Sequence, residues 1–71
     1  MEIREIIETL ETKKKERIEI IDESRTSIFK LRLEKENTPV RDALIERLNK
    51  QIDESFGYIE ALDMAINLLK K

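Results

Sequence analysis

Apolar residues fall in two stripes along the chain. In the second half, Ile45, Leu48, Ile52, Ser55, Ile59, Leu62, Ile66 and Leu69 alternate at spacings of three and four residues. That alternation marks a helix burying one seam, as in a coiled coil. The first half repeats the spacing at Ile3, Ile7, Leu10, Lys14, Arg17, Ile21, Ser24, Ile28 and Leu31, with two cations standing inside the stripe.

One strong break separates the stripes, in "EKENTPVRD". Pro39 cannot continue a helix from its N-terminal side and disfavours helical geometry at Thr38. At the first turn of a new helix it is well placed, with Thr38 as N-cap. Asn37 suits a left-handed closure of the preceding helix. The chain is therefore predicted to be one all-α domain over 1–71, with helix 1 over about 2–36, a turn at 37–38 and helix 2 over about 39–70. The poor helix formers of "DESRTS" and the glycine at Gly57 bring no cap pattern, so both helices are expected to run through them.

Folding the stripes about the turn pairs them layer by layer. Leu31 meets Ile45, Ile28 meets Leu48, Ser24 meets Ile52, and Ile21 meets Ser55. Arg17 then meets Ile59, Lys14 meets Leu62, Leu10 meets Ile66, and Ile7 meets Leu69. A short connection forces neighbouring helices antiparallel, and this register agrees with it. The expectation is an antiparallel, coiled-coil-like helical hairpin.

Further apolar residues lie off the seam. Ile6, Ile20, Leu44, Tyr58 and Ala65 follow one flank, and Ile18 and Phe56 the other. Phe29 and Leu33, with Val40 nearby, form a row near the turn; Ala61, Met64 and Leu68 form one near the open end. A lone hairpin of this size buries little surface, and uncovered rows are sticky. Two hairpins packed antiparallel, Phe29 and Leu33 of one against Met64 and Leu68 of the other, are expected to form a homodimeric four-helix bundle.

Composition narrows the chemistry. The 71 residues contain no cysteine and no histidine, which removes disulfides, thiolate sites and imidazole chemistry. The single glycine cannot make a phosphate loop, and the acids recur on outward helix faces without converging. No catalytic residue, metal or cofactor is therefore assigned, and the protein is expected not to be an enzyme. No apolar run reaches membrane-spanning length, and "MEIREIIETLE" is too acidic for a signal peptide, so a cytoplasmic protein without a membrane partner is expected. Charged residues make up 42% of the chain but nearly cancel, to a net charge of −2, which argues against a nucleic-acid partner.

The remaining cluster is Lys13, Lys14, Lys15 and Arg17, with Tyr58 beside it. One reading is a small basic site for an acidic partner or an RNA backbone, with Tyr58 as a stacking surface. The preferred reading has Lys14 and Arg17 laying their methylenes over Leu62 and Ile59 while their charges reach water and nearby carboxylates such as Glu11 or Asp63. Polar residues at seam positions then fix register and oligomeric state.

"SIFKLRLEKE", followed by a turn and a second helix, is similar to the ribosomal protein L29 family, itself a helical hairpin. That family is strongly basic and this chain is slightly acidic, so it is not assigned there. The layout is also similar to the Rop-type dimer of hairpins, without a shared motif. The function expected is that of a self-associating interaction module, or a small regulator or inhibitor of a larger machine. Where the dimer does not consume them, Phe29, Leu33, Met64 and Leu68 are its candidate partner contacts. The alternative is an RNA-binding regulator using the basic cluster.

Overall fold

The structure, a computed structural model, describes residues 2–34 and 38–71. It consists of two helices, α1 (Ile3–Arg32) and α2 (Pro39–Lys70), packed against each other in a hairpin with extents of 53 × 15 × 14 Å. Both helices are continuous, α1 through Asp22–Ser27 and α2 through Gly57.

The start of α2 follows from Thr38 and Pro39. Backbone N–H groups in a helix's first turn lack intrahelical acceptors. Here the Arg41 N–H donates to Thr38 Oγ1 at 3.1 Å, and Pro39 has no N–H to satisfy. Replacing Thr38 with alanine is expected to lower stability by about 1 kcal/mol, read as a lower urea midpoint at unchanged slope.

The end of α1 comes earlier than the sequence suggests. The helix stops at Arg32, and Leu33 and Glu34 already lie beyond it; the end expected at Glu36 and the closure expected at Asn37 lie outside the described residues. Lys30 and Arg32 in the last turn complement the negative end of the helix dipole, whereas a further turn would place Glu34 and Glu36 there. The last turn tightens instead. The Leu33 N–H is shared by the carbonyls of Phe29 and Lys30, and the Glu34 N–H reaches back to Leu31. Arg41 Nη1 then donates to the Glu34 carbonyl at 3.1 Å, tying the end of α1 to the start of α2.

The core lies along the predicted seam. Ile21, Ile28 and Ile52 are buried together, flanked by half-buried Ile45, Leu48 and Ile59, while Leu62 and Ile66 are buried nearer the open end. Ser24 and Ser55 sit buried at mid-seam, small residues allowing close approach of the helices. Thr9, Thr12 and Thr26 each donate a hydroxyl hydrogen bond to the carbonyl four residues back. Ser55 makes no such bond: its Oγ is fully buried without a hydrogen-bond partner. A buried hydroxyl in that state costs about 1–3 kcal/mol. Ser55→Ala is therefore expected to raise the chemical-denaturation stability by about 1 kcal/mol; a loss of stability would mean that the hydroxyl is satisfied.

Among the described residues, no helix is long and apolar enough to cross a membrane.

Candidate functional site: the seam cations and the turn-end groove

Lys14 and Arg17 occupy consecutive layers of the seam, and their head groups leave it in opposite directions. Lys14 Nζ meets Asp63 Oδ1 at 2.7 Å, with both side chains partly exposed. Asp63 follows Leu62, the residue paired with Lys14 in the sequence register, and Leu62 is itself buried. The Arg17 guanidinium lies over the Tyr58 ring, 4.5 Å from its centroid. Tyr58 precedes Ile59, the residue paired with Arg17 in that register. Asp63 and Tyr58 stand five residues apart on α2, about 140° around the helix at ~100° per residue. Each cation therefore crosses the seam with its methylenes and finds its partner on a different flank. An ion pair this exposed contributes about 0–1 kcal/mol, so the apolar stems carry much of the packing.

Lys13 and Lys15 are exposed. Three successive residues fan around a helix, so Lys13, Lys14 and Lys15 do not share a face. Of the cluster, only Arg17 joins Tyr58 in a direct contact. Near the open end, Lys70 Nζ lies 3.6 Å from Glu11 Oε1, a second bridge between the helices.

The apolar candidates are well exposed: Phe29 64%, Leu33 66%, Met64 64% and Leu68 68%. Leu33, Met64 and Leu68 lie on the outer sides of the hairpin. Phe29 leans toward a groove of about 420 Å³ between the turn halves of the helices, lined by Arg25, Ile28, Phe29, Arg32, Asn49 and Ile52. Ile28 and Ile52 form its apolar floor, and the two arginines stand on its α1 rim.

The groove is a feature that sequence reading missed. Arg25 and Arg32 look like ordinary surface charge when taken singly. The signal was their seven-residue spacing with Phe29 between them, which places all three on one side of the helix. Among the described residues, no group of three or more acids is placed to hold a metal ion.

Together these features define a helical hairpin with polar substitutions in its seam and uncovered apolar residues on its flanks. Comparisons with family models, with curated proteins and with solved structures return no match to this chain.

Proposed function

We propose that the protein is a non-enzymatic, self-associating hairpin whose copies pair into a four-helix bundle that binds another protein, as an interaction module or as a small regulator or inhibitor of a larger assembly. The balance of burial carries this reading. Among the described residues, five apolar side chains are buried, whereas ten large ones, from Ile3 to Leu68, are exposed. A two-helix core of that size is marginal alone, and a second copy supplies the missing cover. Those of Phe29, Leu33, Met64 and Leu68 that the bundle leaves uncovered offer the contact for a different protein. Binding of RNA through Lys13, Lys14, Lys15 and Arg17 draws less support, because those side chains diverge.

Light scattering at micromolar concentration tests the self-association. The expected mass is twice the 8.5 kDa of one chain, and a monomer throughout would overturn the proposal.

A further inference from the structure

The two flanks of the hairpin differ in how much charge they carry, whatever its sign. One position before Ile7, Lys14, Ile21 and Ile28 of the seam, α1 places Ile6, Lys13, Ile20 and Ser27. One position before Ile45, Ile52, Ile59 and Ile66, α2 places Leu44, Gln51, Tyr58 and Ala65. In an antiparallel pair these positions share one flank, where the Arg17 guanidinium meets the Tyr58 ring. Lys13 is the one charged residue among the eight. The opposite flank holds the groove, the Lys14–Asp63 and Lys70–Glu11 pairs, and Arg25 at 5.6 Å from the Phe56 ring centroid. Seven of its ten positions are charged: Arg4, Glu11, Arg25 and Arg32 on α1, and Asp42, Asp63 and Lys70 on α2. Its apolar residues, Ile18 and Phe56, stand among those charges.

We infer that the flank of Ile20 and Tyr58 is the face through which the hairpin pairs with a second copy of itself. The inference rests on the self-association proposed above and names the surface that carries it. Taking charges out of water is costly, so the flank with a single charged position is the one that can be dried. Lys13 keeps its ammonium in water at the end of a long stem. Arg17 suits an interface, because its guanidinium is weakly hydrated and already stacked on Tyr58. Arg and Tyr are also enriched where protein surfaces are buried together. In the single hairpin Leu44 and Tyr58 remain 42% and 40% exposed, and Ile6, Ile20 and Ala65 are only half-buried.

Size and symmetry select the occupant. The apolar residues run from Ile6 near the open end to Leu44 near the turn, on both helices, so the face is as long as the hairpin. At 53 × 15 Å it offers on the order of 800 Å², the area each partner contributes to a stable, specific interface. A single helix would cover half its width, whereas a second hairpin covers it whole. A two-fold dimer also needs a patch that is complementary to itself. Ile20 and Tyr58 lie near the midpoints of their helices, at heights ~3 Å apart in the hairpin register. Either two-fold relation that sets these flanks face to face brings that central pair onto its own copy. Beyond the edges, Glu16, Glu23 and Lys30 on α1 and Arg47 and Glu54 on α2 form a charged rim in water. Phe29 and the groove, on the opposite flank, stay free for a different protein.

Tyr58 is the only tyrosine of a chain without tryptophan, so its fluorescence reports on this flank in the unaltered protein. Its quenching by acrylamide should fall as chain concentration rises through the range in which light scattering shows the mass doubling. A matched pair of variants then compares the two flanks. Tyr58→Glu replaces the ring with a carboxylate that Arg17 can meet, and Phe56→Glu does the same beside Arg25. Both positions are well exposed in the single hairpin, and circular dichroism checks that each variant stays helical. Tyr58→Glu should dimerise about a hundredfold more weakly than the parent, a change of ~2.8 kcal/mol, and Phe56→Glu as the parent does. Quenching that stays constant while the mass doubles, parental dimerisation of Tyr58→Glu, or an equal loss in both variants would overturn the inference and leave self-association in place. A monomeric parent would overturn both.

Discussion

Ile28→Ala should destabilise the protein by about 2–5 kcal/mol, the range for truncating a buried aliphatic side chain. Ile28 is 6% exposed and belongs to the cluster with Ile21 and Ile52. The loss combines the removed transfer free energy with the cavity that remains, and a two-helix core has few neighbours able to close over it. A chain of this length has about 4–10 kcal/mol of stability in total, so the variant should lose much of its helical signal at temperatures the parent withstands. Ile3→Ala, at a position 57% exposed, is the control and should cost well under 1 kcal/mol. Equal losses at the two positions, measured in urea, would mean that the seam is not where the structure places it.

The paired substitution Lys14→Leu with Arg17→Leu should act in the opposite direction. It removes a partly exposed ion pair and a cation–ring contact, which together contribute about 1–2 kcal/mol. In exchange, two aliphatic side chains pack onto Leu62 and Ile59, each adding about 1–2 kcal/mol when partly buried. A net gain of about 1–2 kcal/mol is expected. The cost falls on specificity. Without cations that exit on opposite flanks, the seam loses its charged layers and accepts other registers and other numbers of helices more readily. A raised urea midpoint should therefore accompany a broadened mass distribution in sedimentation velocity. An unchanged midpoint and a single species would remove the specificity role.

Most of the fold was legible because seam residues and cap residues carry local physics. A three-four apolar alternation has few structural readings, and Thr38–Pro39 restricts the backbone at the start of α2. The end of α1 was harder to read, because good helix formers continue past Arg32 while the helix dipole and the tightened final turn act against extension. The seam register puts Lys14 and Arg17 within one residue of the partners they contact, Asp63 and Tyr58. It did not fix which flank each would take, since periodicity orders Cα positions, whereas a long side chain chooses between neighbours such as Asp63 and Tyr58. The groove escaped notice because its floor belongs to seam residues already assigned to the core. Its rim consists of charges that singly resemble any solvated face.

We propose that this hairpin is completed by a copy of itself, and the concentration dependence of thermal unfolding is the decisive test. Association that is lost on unfolding stabilises by mass action. The melting temperature should rise steadily as chain concentration increases about a hundredfold, with one cooperative transition throughout. A melting temperature that stays constant across that range would contradict the claim and leave the hairpin a monomer stable by its own seam.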